Sequence, residues 1–402
     1  MSMNNSFNRI PVSIWALGLV SMFMDISSEM IHSLLPLFLV GTLGASTFSV
    51  GLIEGLAEST ALIVKVFSGV LSDYLGKRKA LAVLGYALGA LTKPLFAIAP
   101  TTGVVLTARI LDRAGKGVRG APRDALVADI SPAGIRGAAF GLRQSLDTVG
   151  ALLGPLLAVS LMLLWANDFR AVFWVALVPG VVAVALLVFG VHEPERHVEE
   201  KHANPIRRDN LRRLNSTYWW IVGIGALFTL ARFSEAFLVL RARQGGIPVA
   251  YVPLVMAGMN LVYSISAYPF GRLSDRMKHG TLLSLGLIAL VAADLVLATS
   301  DHWLSIAIGV AFWGLHMGMT QGLLATMVAD TSPPDLRGTA FGFFNLVSGI
   351  AMLITSAAAG LLWNRFGAAF TFYTGAAFAA LAMVGLALNS WRQKRIRGEF
   401  CS

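Results

Sequence analysis

The chain contains the same short sequence twice, half a chain length apart. Segment 128–141 reads ADISPAGIRGAAFG and segment 329–342 reads ADTSPPDLRGTAFG, so Asp129 and Asp330 are 330 − 129 = 201 positions apart in a chain of 402 residues. GVLSD, ending at Asp73, recurs as GRLSD, ending at Asp275, at an offset of 275 − 73 = 202. Two anchors at nearly one offset indicate a duplicated unit, which is typical of secondary transporters.

The composition places this duplicated unit in a membrane. Hydrophobic residues make up 56% of the chain and charged residues 13%, whereas a soluble domain carries about 25% charged residues. Many segments reach ~20 predominantly apolar residues, which is enough to cross the ~30 Å hydrocarbon layer as a helix. Because backbone groups find no water there, helices are the favoured solution. We therefore predict an all-α integral membrane protein.

The apolar segments predict twelve transmembrane helices in two pseudo-symmetric halves. The expected organisation is a six-helix bundle over 1–191, a cytoplasmic linker over 192–216 and a second six-helix bundle over 217–402. The linker is dense in charged residues, which indicates a solvated connection. The predicted spans are roughly 12–40, 48–71, 79–99, 103–127, 137–164, 169–191, 217–242, 250–272, 281–299, 304–329, 336–362 and 368–389.

Basic residues predict the orientation of the chain. Lys and Arg cluster between spans 2 and 3, in the linker, after span 8 and in the tail, whereas 41–47 and 99–103 contain none. The basic side stays in the cytoplasm, so both termini are expected there, in a bacterial inner (plasma) membrane. The exceptions are Arg170, Arg241, Arg243 and Arg365. Because the clusters sit at span ends, they explain the net charge of +10 without nucleic acid as a partner.

The turn after span 2 carries a glycine–acid–basic motif. Its residues are Gly69, Asp73, Gly76, Lys77 and Arg78. The second half keeps a degraded copy, Gly271, Asp275, Arg276 and Lys278, interrupted by Met277 and followed by His279. This motif resembles that of the major facilitator superfamily between its second and third helices.

Two more patterns extend the resemblance. Span 4 begins at Arg109 and reaches Gly115-x-Gly117, with Arg113 where many family members have glycine. In span 5, Gly150, Gly154 and Pro155 resemble the family's antiporter motif, which is associated with proton-coupled export. Gly-x-x-x-Gly also serves plain helix packing.

The resemblance covers all twelve spans and has consequences for the fold and the gate. It implies two six-helix bundles facing each other across a cavity lined by helices 1, 4, 7 and 10, in a drug or metabolite exporter-like branch. It further implies cytoplasmic gate residues, for which we expect Asp73, Arg78, Asp129, Arg136, Asp330 and Arg337.

Charges inside the spans mark a candidate pathway, because each is costly in the membrane unless it is paired or hydrated. Asp25, Glu29 and His32 fall on one helical face at i, i+4 and i+7. With ~1.5 Å of rise per residue, Glu29 and Arg109 can lie at one depth. Arg113 and Asp147 share another level by the same rise. The full expected set is Asp25, Glu29, His32, Glu54, Glu58, Arg109, Asp112, Arg113, Lys116, Asp147, Arg232 and Glu235.

Three residues leave alternatives open. Lys93, next to Pro94, either snorkels towards the outer surface or has a function. Lys65 either belongs to the pathway or pairs with Glu58. His316 lies beside Met317 and Met319, which suggests a soft-metal ligand, although packing is the commoner role of such residues.

These features predict a secondary active transporter, with proton-coupled efflux of a small molecule as the leading hypothesis. A proton-carrying carboxylate needs a tuned pKa, which burial beside arginine supplies. The basic stripe of span 4 supports an alternative, proton-coupled uptake of an anionic metabolite. A membrane sensor or enzyme is less favoured, since the chain lacks HExxH, GxSxG and Walker motifs.

The expected partners are a small-molecule substrate, protons and the lipid bilayer, and the expected state is a monomer without cofactor or metal. Cys401 is the single cysteine, so no disulfide or CxxC pair forms within one chain.

Overall fold

A computed structural model provides the structure of the chain. It describes residues 10–75, 77–132, 135–194, 213–274, 276–299, 301–320, 322–333 and 336–396. Within these ranges every regular element is helical, as the composition predicts.

The described residues before the linker form eight α-helices. In chain order they are α1 (Val12–His32), α2 (Leu35–Leu37), α3 (Thr47–Leu75), α4 (Arg78–Leu91), α5 (Lys93–Ile98), α6 (Thr102–Ile130), α7 (Arg136–Leu164) and α8 (Phe169–Gly190). A short π-helix, Phe38–Thr42, continues α2.

The described residues after the linker also form eight α-helices, but the interrupted spans differ between the halves. Its helices are α9 (Ser216–Ala231), α10 (Ala236–Gln244), α11 (Leu254–Ser274), α12 (His279–Thr299), α13 (Trp303–Thr320), α14 (Leu323–Thr331), α15 (Arg337–Phe366) and α16 (Ala368–Ile396). A 3-10 turn, Val249–Tyr251, precedes α11.

Ten helical segments in the described ranges are long and apolar enough to cross a membrane. The two long helices outside this set are α3 and α6, each of 29 residues. Both coincide with predicted spans and carry several of the predicted pathway charges. The number of twelve crossings therefore stays a prediction.

Polar side chains start several helices where the sequence changes from loop to apolar run. Asp168 accepts hydrogen bonds from the backbone N–H groups of Arg170 and Ala171, at 2.9 and 3.2 Å. Asn215 accepts one from Tyr218 at 2.7 Å. Such caps satisfy amides that have no partner inside the helix.

Contacts between residues divide the chain into two compact units. Unit 1 consists of Met1–Ala45, Leu56–Pro205 and Ile247–Asn260, and unit 2 of Ser46–Gly55, Ile206–Gly246 and Leu261–Ser402. The expected bundle boundaries at 191 and 217 flank residues 195–212, which lie outside the described residues, so that division stays a prediction.

Each unit has its own apolar core. In unit 1, α1 packs against α7 and α8, and α4 packs against α6. Leu17, Met24 and Tyr86 are fully buried in that core. In unit 2, α12 packs against α13 and α16, and Tyr218 donates a hydrogen bond to the carbonyl oxygen of Ala340 at 2.9 Å.

Glycine allows α4 and α6 to approach until their backbones touch. A Cβ placed on Gly85 would lie 2.7 Å from the carbonyl oxygen of Gly115, and a Cβ on Gly115 would lie 2.7 Å from that of Gly85. Such contacts let helices associate in lipid, where the hydrophobic effect between them is absent.

The predicted span 217–242 is interrupted in the structure. Helix α9 ends at Ala231 and α10 begins at Ala236. Side chains of α15 satisfy the freed backbone, because Thr355 donates to the carbonyl oxygen of Leu230 at 2.7 Å and Ser356 accepts from the amide of Ser234 at 3.3 Å. Irregular backbone at membrane depth needs such partners.

The first half is interrupted at the corresponding place. Helix α1 ends at His32, and its C-cap is Ser33. Ser33 and Ser234 are 234 − 33 = 201 positions apart. The duplication is therefore visible in the helix breaks as well as in the repeated motifs.

Candidate functional site

Five of the ionisable residues in the interior of unit 1 form one network. Lys93 Nζ lies 2.8 Å from Asp112 Oδ1. Arg109 lies 3.9 Å from Asp112 and 3.7 Å from Glu58. Arg113 lies 3.2 Å from Glu58 and 3.9 Å from Asp112. The network joins α3, α5 and α6, and its three cations share two carboxylates.

Lys93 lies inside the unit rather than at its surface. It begins α5 and is 1% exposed, and it also donates a hydrogen bond to Ser28 of α1 at 3.2 Å. The snorkelling alternative for Lys93 is therefore wrong. A buried ammonium is tolerated here because Asp112 supplies the opposite charge at hydrogen-bonding distance.

The ion pairs do not join the residues that were expected at the same depth in the membrane. Arg109 pairs with Glu58 and Asp112, whereas Glu29 lies 3.6 Å from His32 on its own helix. Asp147 of α7 lies 3.8 Å from Arg123 and 3.7 Å from Arg143.

The glycine motif of α7 lies against the turns of α1 that carry Asp25 and Glu29. A Cβ on Gly150 would collide with the carbonyl oxygen of Met22 and stand 3.1 Å from the Cβ of Asp25. A Cβ on Gly154 would stand 2.7 Å from the Cβ of Glu29. The motif thus acts as a packing surface for the turns of α1 that carry these two residues, and Pro155 lies inside the same helix.

Charges of both signs surround Asp25. This half-buried residue is within electrostatic range of Asp147, Lys116 and Arg119. Lys116 is exposed although it lies in the middle of α6. Because a lysine side chain avoids lipid, the exposure of Lys116 indicates a water-accessible surface beside Asp25.

In each unit a predicted gate aspartate lies beside a basic side chain. Arg78 pairs with Asp129, and the backbone N–H of Arg78 donates to Glu193 at 2.6 Å. In unit 2, His279 lies 3.9 Å from Asp330. His279 is 201 positions after Arg78, so the two pairs occupy equivalent places in the duplication.

The other motif residues are less informative. Lys77, Arg136, Gly271, Arg276 and Arg337 are exposed. A Cβ on Gly69 would make an ordinary contact, 3.5 Å from the Cβ of Ala121. Gly76 and Asp275 lie outside the described residues, as does the side chain of Asp73.

The predicted pathway residues associated with unit 2 lie in two places. Arg232 and Glu235, both half-buried, flank the interruption between α9 and α10. Glu54 is fully buried near the start of α3, where a Cβ on Gly55 would stand 3.1 Å from the carbonyl oxygen of Leu353. Glu54 and Glu58 are one turn apart on α3, and Glu54 is the more deeply buried of the two.

Two of the arginines that were exceptions to the distribution of basic residues between the loops bind the ends of helices. Arg170 donates to the carbonyl oxygens of Ala97 and Ala99 at 2.8 Å each. Arg241 donates to the carbonyl oxygen of Leu297 at 2.8 Å and lies 3.1 Å from Asp301. Both satisfy carbonyls that have no partner at the end of a helix, a position that favours cations.

His316 is engaged in packing. Its Nδ1 is 2.7 Å from the carbonyl oxygen of Gly286, and its ring stacks on Phe228 with centroids 5.3 Å apart. The described part of the chain contains no group of three or more His, Cys, Asp or Glu residues suited to a metal ion.

One buried carboxylate of unit 2 was not among the predicted site residues. Asp294 of α12 is fully buried in unit 2. The signal was available, since Asp294 is the single charged residue within the predicted span 281–299.

Comparisons with known proteins agree with this architecture. The profile described as Major Facilitator Superfamily matches residues 17–243 and 224–397. An uncharacterized MFS-type transporter of Methanocaldococcus jannaschii is 31% identical over 386 residues, covering 94% of this chain and 95% of its own. The inner membrane transport protein YajR of Escherichia coli is 24% identical over 381 residues, covering 91% and 81%.

A solved structure extends the comparison to the fold. The crystal structure of a POT family transporter in complex with a thioalcohol-conjugated peptide matches with a TM-score of 0.77 and 10% identity. The match covers 97% of this chain and 99% of that one. At this identity the likeness concerns the fold alone.

Proposed function

The chain belongs to the Major Facilitator Superfamily and is an integral membrane transporter, and we propose that it exports a small molecule by proton-coupled alternating access. The observation that carries this proposal is the contact between the α7 glycine motif and the α1 turns with Asp25 and Glu29. Any change in how α7 packs on α1 would alter the surroundings of these two carboxylates.

The charges around Asp25 support a proton-carrying role. The negative charge of Asp147 disfavours a negative charge on Asp25, whereas the positive charges of Lys116 and Arg119 favour one. A carboxylate placed between opposing influences can bind or release a proton when one neighbour moves. Glu29, one turn further along, pairs with His32, another group that takes up and releases protons.

The network around Arg109 has a separate role in this proposal. Glu58 is the exposed member, with 30% of its side chain accessible, whereas Arg109 and Asp112 are nearly inaccessible. Glu58 can therefore exchange protons or contact substrate, while Asp112, which is itself paired with Lys93, holds the two arginines in place. Arg232 and Glu235 are the proposed counterparts at the helix break of unit 2.

One observation favours a second candidate, proton-coupled uptake of an anionic metabolite. Lys116 is exposed on α6, three residues beyond Arg113. Positive side chains on one helix face attract carboxylates or phosphates, and arginine binds both with fixed geometry.

We further propose a monomer in the bacterial inner membrane, with both termini in the cytoplasm. The support is the distribution of Lys and Arg between the loops. The likeness to an inner membrane transport protein supports the choice of membrane.

A flux experiment on two conservative variants tests proton coupling. A thermal-shift screen of cationic drugs and anionic metabolites first identifies a ligand, because a bound ligand raises apparent stability. The purified protein is then reconstituted in proteoliposomes with that ligand and an imposed pH gradient. Asp25→Asn or Glu29→Gln should abolish gradient-driven accumulation and leave equilibrium exchange intact, since each removes only the titrating group.

Asp301→Asn is the matched control, because it makes the same change at a side chain that is 95% exposed. Full accumulation by both α1 variants would move the proton site to Glu58, Asp147 or Glu235. Flux that ignores the pH gradient in the wild type would refute proton coupling, and inward accumulation of an anion would replace export by the second candidate.

A further inference from the structure

Asp294 is a buried aspartate for which the described residues provide no hydrogen-bond partner. It lies on α12, five residues before the end of the helix, and its side chain is fully buried. Neither Oδ1 nor Oδ2 has a hydrogen-bond partner within the described residues. A polar group in this position is costly, and an ionised one far more so.

The surroundings of Asp294 are apolar and aromatic. A Cβ on Gly375 of α16 would stand 2.7 Å from Asp294 Oδ2 and 3.0 Å from the ring of Phe233. The Phe233 ring in turn packs against Trp313 and Phe372, with centroids 5.4 and 5.5 Å apart. Trp313 is also fully buried, and its indole N–H has no hydrogen-bond partner in the described part of the chain.

The titratable groups on the packed helices do not neutralise Asp294. Helix α13 contributes His316, whose Nδ1 contacts Gly286. Helix α16 contributes Tyr373, which is 43% exposed, and its basic residues from Arg392 onwards follow Gly375 by more than four helical turns. Helix α14 contributes Asp330, which lies near His279.

Two arginines of unit 2, Arg241 and Arg232, lie outside these helices. Arg241 binds the carbonyl oxygen of Leu297, three residues after Asp294, and pairs with Asp301. Arg232 and Glu235 flank the helix break that contains Phe233. Asp294 forms no ion pair with them, and a carboxylate so placed avoids the desolvation penalty only by binding a proton.

We propose that Asp294 is a proton-binding site of unit 2, distinct from Asp25 and Glu29. It holds a proton in this conformation and releases it when the aromatic side chains of Phe233, Trp313 and Phe372 separate and admit water. Its part in transport rests on the proposed function, whereas proton binding itself does not.

Infrared spectroscopy tests the site without any transport measurement. The protein is reconstituted in lipid, and the carboxylic-acid C=O band is recorded at pH 7, where ordinary carboxyl groups with a pKa of about 4 are ionised. We expect Asp294→Asn to lose a band equivalent to one carboxylic acid per chain. Asp301→Asn, the same change at an exposed position, should lose none.

A second variant covers the case in which Asp294→Asn does not fold. Gly375→Ala keeps the carboxyl group but places a methyl group against Oδ2, so the band should shift in frequency and keep its area. If Asp294→Asn folds, a spectrum identical to that of the wild type would overturn the proposal. If Asp294→Asn does not fold, an unshifted band in Gly375→Ala would overturn it.

Flux measurements distinguish failure of the Asp294 proposal from failure of the proposed proton-coupled transport. Asp294→Asn should lose gradient-driven accumulation while Asp25 is intact. If the wild type shows no proton-coupled flux but the band is lost in Asp294→Asn, the proton site stands and the proposed coupling fails.

Discussion

Replacing Asp112 by Asn is expected to destabilise the protein more than replacing its partner Lys93 by Met. Both side chains are almost completely buried, with 5% and 1% of their surface accessible, and their charged atoms are 2.8 Å apart. The two substitutions nevertheless leave different networks behind. Without Lys93, Asp112 still faces Arg109 and Arg113, whereas without Asp112 all three buried cations lose the carboxylate that they share.

Coulomb's law sets the scale of this difference. With an effective dielectric constant of about 20, the Lys93–Asp112 attraction is about 6 kcal/mol, and each arginine at 3.9 Å contributes about 4 kcal/mol more to Asp112. Most of this offsets desolvation. Removing one member of a buried pair without other compensation destabilises by about 3–5 kcal/mol, which we expect for Asp112→Asn. For Lys93→Met we expect about 1–3 kcal/mol.

Chemical unfolding in mixed detergent micelles measures these free energies, and thermal unfolding checks their order. The double variant Lys93→Met, Asp112→Asn should be more stable than Asp112→Asn alone, because it removes the uncompensated ammonium. Ser28→Ala is the control that removes a hydrogen bond of Lys93 without changing charge. Equal losses for the two single variants, or a larger loss for Lys93→Met, would refute the reasoning.

Three further predictions follow from other parts of the molecule. Gly154→Ala should lower stability by about 1–3 kcal/mol and reduce flux, because its Cβ would press on α1, whereas Gly141→Ala on the same helix has open space and should do neither. His279→Arg should stabilise by up to about 1 kcal/mol through a permanent charge beside Asp330; a double-mutant cycle with Asp330→Asn should remove this gain. Reporter fusions after residues 45, 100 and 165 should read periplasmic and those after 78, 205 and 395 cytoplasmic, and a cytoplasmic signal at 100 would contradict the topology.

The helices and the duplication were predictable from the sequence. Spans predicted over 137–164 and 169–191 correspond to Arg136–Leu164 and Phe169–Gly190. A long apolar run in lipid has almost no alternative to a helix, because its backbone groups must bond to one another. The repeated segments also predicted that the surroundings of Asp129 and Asp330 would correspond. The ion pair Arg78–Asp129 and the contact between His279 and Asp330 agree with that prediction.

The partners of the buried charges were decided by the tertiary structure. Helical rise and period give the depth of a residue and its face, but they do not state which helix covers that face. Arg109 and Glu29 lie at similar predicted depths, yet Arg109 pairs with Glu58 of α3. Lys93 turns inward because Asp112 on the neighbouring α6 provides a charge at that point.

The same limit applies to the helix contacts and to Asp294. The sequence alone indicated that Gly150 and Gly154 favour close packing, and the fold determined that the helix packed there carries Asp25 and Glu29. A lone aspartate in an apolar span was visible in the sequence at position 294, but the absence of a partner among the described residues is a property of its surroundings. One-dimensional order determines which residues share a helix face, and packing in three dimensions determines what each face meets.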